Sequence, residues 1–268
     1  MLETRSVVDR LEASAASAAE LVVRAMAACS PDSMADALPF GRGALVSMGR
    51  GRYVNRAVGV TIDDLGSQEA DRLEAWYQLR DLVPAVEVSA WASPTTLGTL
   101  AQRRYVPMWF RAMFAMRCES NALRPVPGVS VVAVTSDSDA ATWRDVFASG
   151  FGATDPTARA VSDEFARADR AVTSGQQFLA VIDGRTAGCC SVTVAHGVAW
   201  LGAAATLPVF RRCGVQAAMV RHRVAHAESA GCDLAAATAL PDGASARNLS
   251  RLGFALIQHQ VVLERVAA

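Results

Sequence analysis

The stretch PVFRRCGVQAAM, residues 208–219, places two arginines before a single glycine, Gly214, and a helix-forming run after it. The strand-like segment WLGAAATL, residues 200–207, precedes it. A short loop between a strand and a helix leaves the first N–H groups of the helix without partners, and these groups point at one spot beyond the strand. Glycine lets a ligand approach the backbone, and the helix dipole adds about half a positive charge. The stretch therefore predicts either an anion site or an ordinary helix start, and its surroundings must decide.

The overall composition is that of a globular chain without a general preference for anions. Its 268 residues are 51% hydrophobic and carry a formal net charge of zero, so we expect a full core and neither a nucleic-acid nor a membrane partner. All 26 basic residues are arginine. Because the chain has no lysine, it cannot build a Walker loop or form a Schiff base, which excludes both mechanisms.

Cysteine usage and the opening residues indicate a reducing compartment. The six cysteines show no C-x-x-C spacing, and the opening MLETRSVVDRLEAS is too acidic for a signal peptide. No apolar run reaches the ~20 residues that a helix needs to cross a bilayer. We therefore expect a soluble, cytoplasmic monomer or homodimer with reduced thiols.

Hydrophobic periodicity and turn residues predict the order of elements. The predicted elements of the first half are a helix at 6–28, strands at 43–49 and 52–62, a helix at 67–82, a strand at 85–92, a helix at 94–104 and a strand at 108–118. Those of the second half are a strand at 129–134, helices at 138–149 and 158–173, a three-strand meander, a helix at 214–230, a strand at 232–240, a helix at 244–252 and a strand at 255–265. The meander turns at Asp183-Gly184 and His196-Gly197, which are strong hairpin signals.

The two halves share an order of elements. AVEVSAWASPTTLGTLAQRRY (85–105) and CDLAAATALPDGASARNLSRLGF (232–254) are each a strand, a turn marked by proline, a short helix and a final aromatic residue. We interpret them as two copies of one module, residues 1–120 and 129–268, joined by a proline-containing linker at 121–128. Each module is predicted to be α/β, with an α+β mixed sheet that is twisted, mostly antiparallel and flanked by helices.

Between WLGAAATL and RNLSRLGF (247–254), the opening stretch resembles the phosphate loop of the GCN5-related N-acetyltransferase (GNAT) superfamily. That loop reads R/Q-x-x-G-x-G/A, and residues 211–216 match it except for Gln216 in the last place. The resemblance implies that backbone amides from Arg212 to Ala217 hold the pyrophosphate of acetyl-CoA, or of another short acyl-CoA, without a metal. The CoA-binding residues it implies are Thr206, Leu207, Arg211, Arg212, Cys213, Gly214, Val215, Gln216, Ala217 and Asn248.

The first half departs from this pattern where the phosphate loop belongs. DDLGSQEA (63–70) follows the second predicted strand of that half, so Asp63 and Asp64 stand where a pyrophosphate would bind. Two carboxylates beside a diphosphate repel it by about 1 kcal/mol or more each. We therefore expect a degenerate N-terminal module without a CoA loop, and a second module that alone binds CoA.

The residues that would perform the chemistry are less clear than the loop. Many GNAT members protonate the leaving thiolate with a tyrosine, and the matching position here is Leu249. The second half contains no tyrosine at all, so Ser245 is a weak candidate for the acid and is otherwise a helix cap. The resemblance also implies that the helices carrying Trp143, Phe147, Phe151 and Phe165 cover the acceptor, although core packing explains most such aromatics.

Histidines and cysteines elsewhere suggest other chemistry that we weigh and set aside. His222 and His226 lie four apart on a helix, but the intervening arginine and the lack of a third ligand disfavour zinc. Cys189 and Cys190 are adjacent in a strand and fit packing better than redox chemistry. Cys213 lies at a helix N-terminus, where a thiolate is favoured, which leaves a reactive thiol as a minor alternative.

The sequence thus predicts an acetyl-CoA-dependent N-acetyltransferase that acts on a small-molecule or peptide amine by direct transfer in a ternary complex. The alternative is an acyl-CoA-binding sensor or regulatory module without turnover. Leu249 favours the sensor, whereas the sufficiency of positioning two reactants, which supplies ~7–11 kcal/mol, favours the enzyme.

Overall fold

The first helix of the computed structural model, which describes residues 4–52, 54–119 and 125–266, is α1, Arg5–Cys29. The Thr4 hydroxyl accepts a hydrogen bond from the N–H of Val7 at 3.4 Å and so caps the helix. Leu11 and Val23 are fully buried on its inner face. The prediction of a long amphipathic first helix is therefore confirmed.

Five strands and two further α-helices complete the first half of the chain. They are β1 (Asp36–Phe40), β2 (Gly43–Ser47), β3 (Arg56–Val58), α2 (Ser67–Gln78), β4 (Ala85–Ser89), α3 (Pro94–Gln102) and β5 (Tyr105–Arg117). The sequence pattern did not predict β1, because Pro39 lacks an N–H group and reads as a strand breaker. The structure places β1 at the sheet edge, paired only with β2, where a proline is tolerated.

The second half follows the predicted order of elements. Its helices and strands are β6 (Ser130–Ala133), α4 (Asp137–Gly150), α5 (Pro156–Ala171), β7 (Gly175–Ile182), β8 (Arg185–Ala195), β9 (Val198–Thr206), α6 (Val215–Ser229), β10 (Leu234–Ala239), α7 (Ala244–Arg251) and β11 (Ala255–Arg265). Both predicted hairpin turns are present, with positive φ at Asp183 and Gly184 and at His196 and Gly197. This is the backbone geometry that the two-residue turns require.

The chain divides into two compact units whose bounds differ from the predicted modules. The first unit is Met1–Ala115, Thr238–Arg247 and Ala255–Ala268, and the second is Met116–Ala237 and Asn248–Phe254. The reason is β11, which pairs antiparallel with β4 on one side and with β5 on the other. The last strand of the chain therefore belongs to the first unit. Residues 121–124 of the predicted linker lie outside the described residues, as does Tyr53.

Each unit has a mixed sheet covered by helices, as predicted. In the first unit the strand order is β1-β2-β3-β4-β11-β5, and β3 and β4 are its one parallel pair within the described residues. In the second unit the order is β10-β9-β8-β7-β6, and among its described strands β9 and β10 are the one parallel pair. Helices cover both faces of the second sheet, since Leu179 packs with α4 while Phe178 contacts His222 and His226 of α6.

A network of buried polar side chains lies inside the first unit. Glu87 of β4 accepts hydrogen bonds from Arg56, at 2.8 Å, and from Arg111. Burial alone would raise the pKa of Glu87, but these two guanidinium groups outweigh it and lower the pKa to about 2. Gln260 of β11 donates to Glu87 at 3.0 Å and to Glu12 of α1 at 2.9 Å. Burial, together with the charge of Glu87, raises the pKa of Glu12 to about 8.

Candidate functional site

The N-terminus of α6 is the central feature of the second unit's candidate site. Gly214 is the N-cap residue, with φ of 80°, and no side chain caps the helix end. The first hydrogen bond of the helix runs from the N–H of Ala218 to the carbonyl of Gly214 at 3.0 Å. The amides of Val215 and Ala217 precede that bond, and they are among the groups that an anion at a helix N-terminus would contact.

Two glycines allow close packing around the start of α6, Gly214 against Val126 and Gly188 of β8 against the helix itself. A Cβ at Gly214 would lie 2.8 Å from Cγ1 of Val126, and its positive φ disfavours any L side chain. A Cβ at Gly188 of β8 would lie 2.9 Å from Cγ1 of Val215 and 2.7 Å from the carbonyl oxygen of Ala205. The helix N-terminus is therefore held against the ends of β8 and β9 by contacts that a larger residue would break.

The parallel strands β9 and β10 separate toward this helix. They are paired at only three positions, Val198 with Leu234, Ala199 with Ala235, and Trp200 with Ala236. Beyond Trp200, β9 continues to Thr206 and remains paired with β8 alone among the described strands. The side of β9 that faces away from β8 thus offers backbone N–H and C=O groups to an extended ligand, which could add to it like a strand.

A bulge in β9 lies within the separated part. Cys190 of β8 faces both Ala203 and Ala204 of β9, and Ala203 has φ of 42°. A bulge turns the strand locally and re-aims its backbone groups, which is a common device beside binding sites. Trp143 of α4 donates from its ring N–H to the carbonyl of Cys190 at 3.1 Å and holds the partner strand at this point.

Buried charges support the bulge from both faces of the sheet. Arg223 of α6, which is 2% exposed, donates to the carbonyls of Ser191 and Gly202 at 2.9 and 3.0 Å. Asp169 of α5 accepts hydrogen bonds from the Ser191 hydroxyl and from Gln177, each at 2.9 Å. Burial raises the pKa of Asp169 to about 6 and lowers the pKa of Arg223. These side chains fix the strand geometry from which the site is built.

The predicted loop residues have distinct environments. The side chains of Arg211, Arg212 and Cys213 are exposed to solvent, while Val215 is buried. Thr206 is the last residue of β9 and pairs with Gly188. The N–H of the next residue, Leu207, donates to the carbonyl of Ala187 at 3.0 Å. Both strand-end residues are therefore fixed on the side toward β8.

The departure from the family loop, Gln216, has a specific partner. Its amide oxygen accepts a hydrogen bond from the Asn248 side chain of α7. The oxygen of Asn248 in turn accepts from Arg251 at 2.8 Å. Gln216 is thus hydrogen-bonded to Asn248, which the resemblance also names as a CoA-binding residue.

One cation beside the loop was missed from the sequence. The guanidinium of Arg185, at the start of β8, stacks 5.1 Å from the ring centre of Phe210, which belongs to a 3₁₀ turn at Pro208–Phe210. Arg185 is far from the loop in sequence and reaches it only because β8 neighbours β9. In the sequence, the one indication that Arg185 could lie at the end of a strand was its position directly after the Asp183-Gly184 turn.

The equivalent helix start in the first unit, that of α2, has carboxylates of the chain beside it. Glu69 lies in the first turn of α2, and its carboxylate reaches to 2.9 Å from where a Cβ of Gly66 would be. The N–H of Leu65 donates to the Thr96 hydroxyl at 2.9 Å. Asp63 is paired with Arg42 at 2.9 Å, a contact that the sequence did not indicate. The start of α2 therefore carries carboxylates of its own, which would repel a diphosphate.

The residues considered for catalysis and redox chemistry are found in varied settings. Leu249, at the usual tyrosine position, is 3% exposed, and Ser245 is exposed on α7. Cys189 and Cys190 are fully buried, and burial raises the pKa of both thiols, which supports their interpretation as packing residues. His222 is half-buried against Phe178, and burial lowers its pKa.

Aromatic side chains stack between α4 and α5. The ring of Phe147 lies 5.0 Å from that of Trp143 and 5.3 Å from that of Phe165. The ring of Phe151 lies 4.8 Å from that of Phe147, tilted by 47°, and Phe151 is 60% exposed. Among the described residues, no cluster of three His, Cys, Asp or Glu side chains has metal-binding geometry. In the same part of the chain, no helix combines the length and the hydropathy of a membrane span.

The second unit thus combines a mixed sheet, a parallel strand pair that separates, and an uncapped helix N-terminus in one α/β fold. Residues 141–254 match the model of the acetyltransferase (GNAT) family. This stretch, which lies largely in the second unit, is therefore similar to the GNAT acetyltransferase family.

Solved structures share this fold over most of the chain. A GCN5-related N-acetyltransferase from Kribbella flavida is similar with a TM-score of 0.65 at 19% identity, over 93% of this chain and 96% of that one. Another from Sphaerobacter thermophilus has a TM-score of 0.58 at 18% identity, over 79% and 72%. A tandem GNAT protein from the clavulanic acid biosynthesis pathway has a TM-score of 0.55 at 18% identity, over 84% and 74%. No curated protein matches the sequence.

Proposed function

We propose that this protein is an acetyl-CoA-dependent N-acetyltransferase whose second unit binds the donor, acetyl-CoA or another short acyl-CoA. The observation that carries the proposal is the uncapped N-terminus of α6 at Gly214, next to the unpaired side of β9. The acceptor we propose is a small-molecule or peptide amine, because the neutral net charge gives no reason to expect a nucleic acid.

The geometry of the loop fits a diphosphate. A side chain at Gly214 would crowd the start of α6, and the amides from Val215 to Ala217 lie at the helix end to which an anion would bind. Among the amides from Arg212 to Ala217, that of Cys213 donates to the carbonyl of Phe210 at 3.4 Å. Arg211 and Arg212 are exposed beside it and can add positive charge. The far side of β9 up to Thr206 offers the ladder groups with which an extended pantetheine arm would pair. Acetyl-CoA, when bound there, supplies the acyl group as a thioester.

The chain's own contribution to the chemistry is chiefly positional. The bulge at Ala203 directs backbone N–H groups of β9 away from β8, where one of them can donate to the carbonyl oxygen of the reacting acyl group. Holding donor and acceptor in register supplies ~7–11 kcal/mol without a charged catalyst. With the apolar Leu249 at the usual tyrosine position, the proton for the leaving thiolate comes from water, from the substrate amine or from Ser245.

The alternative function is an acyl-CoA sensor without turnover, and one observation favours it. The strand β9, VAWLGAAAT, carries no carboxylate to accept a proton from the amine. A sensor would bind the donor at the same loop and leave it intact.

The deciding experiment follows free thiol release from acetyl-CoA in the presence of a panel of primary amines. Exposed Cys29 and Cys213 react with thiol dyes, so each reading needs a protein-only blank. Release with an amine, matched by an acetylated product in the mass spectrum, supports the enzyme. CoA binding without release across the panel supports the sensor, and absence of CoA binding contradicts both.

The role of Ser245 is tested by Ser245→Ala in the same assay. If its hydroxyl donates the proton, the rate falls by about 10²- to 10⁴-fold while CoA affinity is unchanged. Ser250→Ala, an exposed serine later on the same helix, is the matched control. An unchanged rate in Ser245→Ala assigns the proton to water or to the substrate.

A further inference from the structure

We propose that a cavity between α4 and α5 binds a small, doubly charged oxyanion of the phosphate class, at a site separate from the α6 loop. The cavity has a volume of about 420 Å³, which accommodates inorganic phosphate or a small phosphomonoester. Its walls are the first half of α4 and the last part of α5, and Gln177 of β7 contributes to its lining.

The cavity carries an excess of positive charge. Three arginines line it, Arg144 from α4 and Arg167 and Arg170 from α5, with a single carboxylate, Asp137. Arg170 pairs with Asp137 at 3.2 Å. Arg144 and Arg167 have no ion-pair or hydrogen-bond partner within residues 4–52, 54–119 and 125–266. These two guanidinium groups, one from α4 and one from α5, can therefore pair with two negative charges, which is the charge of a phosphate dianion.

A polar group at the cavity's lining selects among oxyanions. Gln177 is 4% exposed, and its side-chain N–H groups donate to the Ala166 carbonyl at 3.0 Å and to Asp169 at 2.9 Å. Both acceptors fix the orientation of the amide, so the oxygen is the atom of Gln177 left to contact a ligand. An oxygen acceptor needs a ligand hydroxyl. Phosphate at neutral pH retains a P–OH group, whereas sulfate has none.

The cavity is distinct from the proposed CoA loop. Gln177 pairs with Ser191 of β8, while Thr206, at the loop, pairs with Gly188. Ser191 and Gly188 are three residues apart on one strand, a separation of about 10 Å. The inference therefore goes beyond the proposed acyl transfer and does not depend on it.

The experiment is a calorimetric titration of the full chain with inorganic phosphate at neutral pH and low ionic strength. Arg144→Gln and Arg167→Gln should each weaken phosphate binding by about tenfold or more, because each removes a charge-assisted contact. Arg159→Gln is the matched control, since Arg159 is also on α5 but pairs with Asp145 outside the cavity. It should bind phosphate as the parent chain does.

Phosphate could also bind at α6, so the titration is repeated with saturating CoA and with Gly214→Ala. Binding that persists in both, and disappears in the Arg144→Gln/Arg167→Gln double variant, supports the cavity site. Sulfate should bind at least about tenfold more weakly than phosphate. Binding that survives the double variant, equal loss in Arg159→Gln, sulfate binding as tightly as phosphate, or no phosphate binding at all would overturn the proposal. If CoA itself does not bind, the arginine variants still decide the question.

Discussion

Replacing Gly214 with alanine tests the α6 loop against a control at the other end of the same helix. Gly214 precedes α6 with φ of 80°, and Gly231 follows it with φ of 77°. Alanine in this left-handed region costs about 1–2 kcal/mol. Gly214→Ala and Gly231→Ala should therefore each lower the free energy of unfolding by about 1–2 kcal/mol, which urea titration of each variant measures.

Only one of these two positions has a neighbour that the new methyl group would strike. At Gly214 the Cβ would lie 2.8 Å from Cγ1 of Val126, whereas at Gly231 nothing lies within 4 Å. The methyl at residue 214 must therefore displace the loop whose amides form the proposed phosphate site. Loss of a single charge-assisted hydrogen bond is worth about 1.5–3 kcal/mol, so CoA affinity should fall by about 10- to 100-fold in Gly214→Ala.

The affinity of CoA for the two variants is measured by calorimetry at equal protein concentration. Gly231→Ala should bind CoA as tightly as the parent chain despite its similar loss of stability. If Gly214→Ala and Gly231→Ala bind CoA with the same affinity, the donor does not use the α6 N-terminus and the assignment of the loop is wrong.

Three further predictions concern the supporting structure. Because the pKa of Glu12 is raised from 4.5 to about 8, the folded state binds an extra proton between these values, so the free energy of unfolding should fall as the pH rises through them. Glu12→Gln should remove this pH dependence in urea titrations at pH 5 and pH 9. The same pH dependence in Glu12→Gln and in the parent chain would refute the assignment. Arg223→Leu leaves two bulge carbonyls and Asp169 without their cation, so it should cost about 3 kcal/mol in the same assay, whereas a loss near zero would show that the bulge needs no support. Gly150→Ala places a Cβ 2.5 Å from that of Ala205, so it should lower the free energy of unfolding by about 1–3 kcal/mol. Gly98→Ala, in a helix and with nothing within 4 Å, is the control and should leave that free energy unchanged or raise it. Equal effects of the two substitutions would argue against close packing of α4 on β9.

Local sequence signals predicted most elements of the fold. The last strand was expected at 255–265 and lies at Ala255–Arg265, where two apolar runs, residues 255–257 and 261–263, follow the glycine of RNLSRLGF. The hairpin at Asp183-Gly184 was likewise visible in two residues. By contrast, β1 was missed because Pro39 carries an edge-strand signal that resembles a break. Predictions succeeded where a pattern is contained within one element.

Features that depend on which strands become neighbours were not predictable. Nothing in ALIQHQVVLER indicates that β11 pairs with β4 and β5 of the first unit, since any sheet edge would accept its apolar pattern. Nothing in the sequence indicates that Glu12 is buried beside Gln260, because the two residues are far apart along the chain. The same holds in the site, where the loop was evident from Gly214 but the stacking of Arg185 on Phe210 needed the register of β8. Long-range pairing is the information that one sequence lacks.

The contrast between α2 and α6 explains why one unit of a repeated fold would retain a ligand. Both helices follow a strand that then separates from its parallel neighbour, so topology alone would give two equal sites. At α2 the carboxylate of Glu69 occupies the helix end, and a second carboxylate, Asp63, lies just before it. At α6 the first turn has no acidic residue, and arginines precede it. A helix end that carries carboxylates repels a diphosphate, whereas an end without them offers the anion hydrogen bonds and charge compensation. Under the proposed function, the first unit would lack a donor site and still keep its sheet and its buried polar network, because neither depends on the start of α2.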